Sequence, residues 1–164
     1  MATRCVWKPE DFRPAGTDFP DIVQTGAAND EDLVAALDAT TSEEFVVDGV
    51  APQGLTGALT LVVYYWMASA TTGGVAVGAA VQAVTPGDAL NRNTTASYDT
   101  ENIGTDTVPG TAGNEDSVSI TLTTADGMAA GDDFKIKVRR AVENASDTAT
   151  GDLYISRVEL RDAA

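Results

Sequence analysis

Histidine is missing from this 164-residue chain and cysteine occurs once, at Cys5. Without imidazole the commonest general acid–base group is gone, a Ser-His-Asp nucleophile cannot be assembled, and no Ser-x-x-Lys stands in for it. A lone thiol closes no internal disulfide, so Cys5 is expected as a free thiol in a reducing compartment. Long apolar runs are also lacking. No stretch approaches the roughly 18 residues that a membrane helix needs, and the opening MATRCVWKPEDFRP carries cations without the apolar segment that would make it a cleaved secretory signal. The glycines form neither G-x-G-x-x-G nor G-x-x-x-x-G-K-[ST], so the familiar phosphate cradles are absent too. These gaps favour a binding or structural role without a cofactor over an enzyme.

Positive charge is scarce and unevenly placed. Ten Lys plus Arg face 25 Asp plus Glu, for a net charge of -15, and a chain so anionic is expected to avoid phosphate backbones, so nucleic acid is not a partner on this reading. Between Arg13 and Arg92 there is no Lys or Arg, which sets the N-terminal stretch with Arg4, Lys8 and Arg13 apart from the rest. The same stretch holds Trp7, Phe12 and Phe19 among prolines at 9, 14 and 20. Prolines and glycines at this density break regular structure, so residues 1–32 are expected as an extended arm whose rings pack on the parent domain or on a neighbour.

What the chain has in quantity is β pattern, with 43% hydrophobic residues at a mean hydropathy of -0.07. Residues 33–164 are expected to form one domain. Leu33 to Leu37 and Glu44 to Val47 read as short strands, and Ala58 to Met67, ALTLVVYYWM, reads as a central strand buried on both sides. After Gly73-Gly74, alternation from Val75 to Gln82 suggests its hairpin partner, with Ala76, Gly78 and Ala80 implying a close neighbour on one face. Residues 85–114, rich in Pro, Gly, Asn and Thr, read as a long loop. Alternating strands follow at residues 116–124, 134–139 and 154–161, the last with Tyr154, Ser156, Val158 and Leu160 on one face. About eight strands in one antiparallel unit predict an all-β, two-sheet sandwich of the jelly-roll kind.

Clusters that could carry chemistry are few. The adjacent pairs Glu43-Glu44, Glu115-Asp116 and Asp132-Asp133 point to opposite strand faces and do not converge on one bond. Asp126, Asp132, Asp133, Asp147 and Asp152 sit in turns, where calcium is one reading and ordinary turn chemistry the other; no EF-hand spacing is present. Asn93-Thr94-Thr95 and Asn144-Ala145-Ser146 match the glycosylation sequon by chance rather than by design. Lys135, Lys137 and Arg139, spaced by two, share one sheet face beside Arg140, either compensated by carboxylates on adjacent strands or receiving an acidic patch of a second copy. Tyr64, Tyr65 and Trp66 read as core, with an aromatic sugar-binding platform as the alternative.

The run from Ala58 to Val84, the GDAL at residues 87–90, and AAGDDFKIKVRRAVENASDTATGDLYISRVEL near the C-terminus together resemble small jelly-roll domains of tailed-bacteriophage virions, most closely at Gly131-Asp132 to Arg140 and at Asp147-Thr148. The resemblance implies a virion part, and among such parts a capsid decoration (cement) protein. It would be made in the host cytoplasm and bound to the outer surface of the major capsid shell, as a homotrimer that bridges neighbouring subunits. On that reading Arg4, Trp7, Lys8, Phe12, Arg13 and Phe19 of the arm contact the major capsid protein, Lys135, Lys137 and Arg139 contact another subunit, and removal of residues 1–26 leaves the sandwich folded. The alternative is a carbohydrate-binding jelly-roll module of a phage head or tail fibre or of a polysaccharide-active protein, using Tyr98, Asn91 and Asn93 of the long loop.

Overall fold

The structure is a computed structural model that describes residues 1–28, 30–92 and 97–163. Among the described residues it contains eleven strands and no α-helix: β1 (Ala2–Trp7), β2 (Arg13–Pro14), β3 (Asp21–Ala27), β4 (Asp30–Leu37), β5 (Glu44–Val50), β6 (Leu59–Met67), β7 (Gly74–Val84), β8 (Asn102–Thr107), β9 (Asp116–Leu122), β10 (Asp133–Arg140) and β11 (Leu153–Asp162), with a 3-10 turn at Pro9–Asp11. They form two antiparallel sheets. The first runs β3-β4-β11-β6-β9 with β1 also on β11, and the second runs β2-β5-β10-β7-β8.

The strand pairs nest. β4 pairs with β11, β5 with β10, β6 with β9 and β7 with β8, and successive pairs fall in alternate sheets. That is an antiparallel ribbon rolled into two Greek keys, a jelly roll, as the strand count predicted. Alternation supplies its core: Leu61, Val63 and Tyr65 of β6, with Val118 and Ile120 of β9, face Val75, Val77 and Val81 of β7 and Phe134, Ile136 and Val138 of β10. Each such side chain contributes roughly 1.5–3 kcal/mol when fully buried. The Tyr65 hydroxyl crosses the core to donate to Asp106 Oδ2 on β8 at 2.7 Å, and burial together with that carboxylate pushes the phenol well above its ordinary pKa.

Three sequence expectations are corrected here. The strands at 58–67 and 75–82 are not a hairpin, since β6 and β7 lie in opposite sheets. Gly73 and Gly74 serve close approach instead: a Cβ on Gly73 would meet the Ala149 Cα at 3.0 Å and one on Gly74 the Ser146 carbonyl oxygen at 2.6 Å. The long loop at 85–114 contains β8, which the sequence conceals because it is squeezed against β9. A Cβ at Gly104 would lie 2.7 Å from Ile120 Cγ1, so the position facing inward carries no apolar side chain to reveal the period.

The third concerns residues 1–32. The segment is extended, but it is woven into the sandwich: β1 pairs with β11, β2 with β5 and β3 with β4. Trp7 is 7% exposed and Phe12 8%. Trp7 meets Phe134 edge-on with centroids 5.9 Å apart and donates from Nε1 to the Asp48 carbonyl at 2.9 Å. Phe12 stacks on Phe45 at 4.2 Å. Those two rings are desolvated by their own chain, because the open edge between the two sheets offered the nearest apolar surface.

Candidate functional site

A cleft opens where β11 changes partner. Leu153, Tyr154 and Ile155 pair with β4, residues from Val158 onward pair with β1, and Ser156 and Arg157 between them pair with neither. Against β6 the register shifts between Ile155, paired with Tyr65, and Arg157, paired with Tyr64, so that Ser156 is the extra residue. A bulge of this kind bends a strand and redirects its side chains. Strict alternation would have put Tyr154 with Val158 and Leu160. The bulge instead leaves Val158 and Leu160 fully buried while Tyr154 and Arg157 share the outer face. The resulting cleft has a volume of about 360 Å³ and is lined by Trp66, Ser156 and Arg157 of the sheet, by residues 8–10 and 31–33 at its margins, and by Glu115.

The aromatic run on β6 is divided between two environments. Tyr65 points inward and is fully buried, whereas Tyr64 and Trp66 point outward and are half-buried. Reading all three as core was therefore right only for Tyr65. Trp66 is paired in register with Tyr154, and their rings meet edge to face at 6.3 Å and 88°. The Arg157 guanidinium lies 3.5 Å from the Tyr64 ring centroid, and Arg161 Nη2 donates to the Tyr64 hydroxyl at 2.5 Å. Cation–π contact and hydrogen bonding together fix these long side chains in place.

Carboxylates complete the row. Glu115 Oε1 accepts from Ser156 Oγ at 3.1 Å and from Arg157 Nη1 at 3.1 Å. Glu159 accepts from Arg161, Arg157 and Thr3. Burial pushes the Glu159 carboxyl upward, but the Arg161 and Arg157 guanidinium groups outweigh it and hold the pKa below the ordinary range. On the far side of Tyr154 lies a second depression of about 210 Å³, lined by Asp21 and Val23 of β3, Ala36 of β4, and Asp38, Glu43 and Asp152. Glu43 accepts from the Asp38 amide at 2.8 Å, and its pKa is raised by burial and by the negative charges of Asp38, Asp21 and Asp152.

The residues expected on an arm fall into separate places. Phe12, Arg13 and Phe19 line one depression, whereas Arg4 lies 2.8 Å from buried Asp162, Lys8 lines the cleft and Trp7 is in the core; Arg13 also pairs with Asp48, and of the three rings only Phe19 is exposed, at 48%. The cationic row on β10 is largely compensated within the chain: Lys137 meets Glu44 at 3.1 Å, and Arg139 meets Glu101 at 2.6 Å and Glu143 at 2.5 Å. Lys135 borders a shallow depression with Arg13 and Tyr98. Glu101 also supplies the close neighbour predicted over Gly78, where a Cβ would lie 2.4 Å from its carboxylate. Of the loop residues in the carbohydrate alternative, Tyr98 sits under the Lys137 ammonium at 5.5 Å and Asn93 lies outside the described residues, as does its sequon.

The turn aspartates hold backbone and arginine. Asp126 accepts from the Ala83 amide, Asp132 from that of Ala129, and Asp147 chelates Arg140. Among the described residues no group of three or more His, Cys, Asp or Glu is arranged to hold a metal ion. Arg140 is wholly buried and spans three loop positions, with Asp147 at 2.9 Å and the carbonyls of Ala149 and Gly151 at 2.6 and 2.7 Å.

Sequence reasoning missed Tyr154, Ser156, Arg157 and Glu115. A signal for the first three was present: the apolar set Leu153, Ile155, Val158, Leu160 is spaced two, three, two, and the three marks the bulge. Nothing local marks Glu115, whose position depends on β6 lying between β9 and β11.

Geometry thus defines a jelly-roll sandwich with a largely polar cleft, lined by Trp66, Ser156, Arg157 and Glu115 among others, on one outer sheet face. No protein-family model matches the chain and no curated protein matches it. Among solved structures it is similar to the C-terminal CBM6 of LamC, a marine laminarinase from Zobellia galactanivorans, at 12% identity and a TM-score of 0.43 over 96% of this chain and 98% of that one. It is also similar to a CBM28, a carbohydrate-binding module specific for non-crystalline cellulose, at 12% identity and a TM-score of 0.47 over 92% of this chain and 85% of that one.

Proposed function

We propose that the protein is a glycan-binding jelly-roll module that holds its ligand on the outer face of the β3-β4-β11-β6-β9 sheet. One observation carries the reading: Trp66 stands partly exposed in a concave site beside the prearranged Ser156, Arg157 and Glu115. An indole face covers the apolar C–H face of a pyranose, and a guanidinium flanked by carboxylates and a hydroxyl meets the ring hydroxyls with donors and acceptors together. The sequence resemblance to virion domains supplies the setting, a fibre or surface component of a phage particle. A glycan array followed by calorimetric titration tests it. Saturable binding that disappears in Trp66→Ala supports the proposal, and an array without a binder, or binding unaffected by that substitution, defeats it.

A capsid-decoration role is the second reading, supported by a different observation. Phe19 and Ile22 are 48% and 44% exposed and border an apolar depression with Pro14 and Pro20, a surface suited to a macromolecular partner such as the major capsid protein. Trp7 and Phe12, which that role assigned to the shell, are in the sandwich core. Co-sedimentation with assembled shells that weakens in Phe19→Ser/Ile22→Ser would favour decoration; no co-sedimentation would remove it.

A further inference from the structure

The cleft and the second depression lie on the same sheet face, with the edge-to-face rings of Trp66 and Tyr154 between them. A ligand resting on those rings therefore reaches both. Charge in the two depressions is lopsided. The cleft brings Glu10, Glu31, Asp32 and Glu115 against Lys8 and Arg157, and Arg157 already faces Glu115 and Glu159 at 3.1 and 3.3 Å. The charged lining of the second depression is Asp21, Asp38, Glu43 and Asp152, and among the described residues no Lys or Arg lines it.

Resting on the glycan-binding reading, we infer that this groove selects glycans bearing basic amino sugars and turns away uronate or sulfated chains. A protonated amine placed beside Tyr154 sits among four carboxylates in a partly desolvated basin, where charge interactions are stronger than in bulk water. An anionic sugar there adds like charge to a surface of a protein whose net charge is -15. Glu43 fits this lining: burial and then its three acidic neighbours already disfavour its ionisation, so a nearby cation relieves a repulsion present in the unliganded protein.

The test compares glucosamine oligomers, their N-acetylated counterparts of equal length and oligogalacturonate by calorimetry in mildly acidic buffer at low and high salt. The expected result is an affinity advantage on the order of tenfold for the basic over the acetylated oligomer, shrinking as salt is added, with no measurable uronate binding. Asp21→Asn/Asp152→Asn should bring the basic-to-acetylated ratio toward one, and Trp66→Ala should abolish binding of both. Equal affinity for basic and acetylated chains, uronate binding, or glucosamine binding that survives Trp66→Ala overturns the inference. In the first two cases the glycan-binding reading stands; if neither these oligomers nor any array glycan binds, that reading falls as well.

Discussion

Two tryptophans with opposite surroundings show what a single side chain does here. Trp7 is enclosed by Phe134 and the Gly49 backbone and bonded to the Asp48 carbonyl, whereas Trp66 lies partly exposed in the cleft. Trp7→Ala is expected to cost about 3–5 kcal/mol in urea unfolding, the usual range for emptying a ring-sized core site. Trp66→Ala should cost only about 1–2 kcal/mol, the size of a lost edge-to-face contact and partial burial, and on the proposed glycan-binding function should remove binding. Arg140 is the other decisive residue. Its guanidinium is fully buried against Asp147, and breaking a buried pair from one side leaves the other charge stranded. Asp147→Ala should therefore lower stability by about 3–5 kcal/mol, measured by urea titration, and free the 141–151 loop to proteolysis.

At the scale of elements, β11 decides the site. It sits between β6 on one side and β4 then β1 on the other, and its bulge at Ser156 puts Tyr154 and Arg157 on one face. β1 is integral to this arrangement. Without it the edge of β11 from Val158 to Asp162 has no partner, buried Asp162 loses Arg4, and Trp7 leaves the core. Deleting residues 1–12 removes two core rings at once, a loss comparable with the whole 5–15 kcal/mol stability of a typical domain. The truncated chain is expected to be unfolded or molten by near-ultraviolet circular dichroism and dye binding. A cooperative native-like transition would show that the N-terminal segment is a dispensable arm after all.

For the whole molecule, the net charge of -15 works against compactness. Raising salt from about 0.01 M to about 0.15 M shortens the screening length from about 30 Å to about 8 Å, so the melting temperature should rise even though exposed ion pairs weaken. A fall in melting temperature would mean that those pairs outweigh the self-repulsion. Acid acts through particular carboxyls. Arg4 holds Asp162, hydrogen bonds from Thr40 hold Asp38, and Arg139 holds Glu143 below their ordinary pKa values. Each binds a proton more weakly folded than unfolded, so its stabilisation is present above the ordinary carboxylate value, about 4, and is lost as pH falls through it toward the lower native values. Glu43, raised by burial and its acidic neighbours, has the opposite sign and favours the fold only below its own native value. With Glu159, held down by Arg161 and Arg157 against its burial, four depressed carboxyls stand against one raised, and a urea midpoint that declines on acidification below about pH 4 is expected.

The sequence by itself determined the fold class and most of the core, because period-two alternation in residues 116–122 and 134–139 fixes which face is apolar whatever the neighbours are. It also fixed the absence of histidine chemistry and the anionic surface, which are matters of composition. Only the tertiary structure decided that Trp7 and Phe12 belong inside, that Tyr64 and Trp66 face out from the same strand as Tyr65, and that Glu115 meets Ser156 and Arg157 across β6. Those outcomes depend on which strand lies beside which and on one extra residue in β11. Local pattern records a side chain's parity along its own strand but not what the rolled sheet places over it.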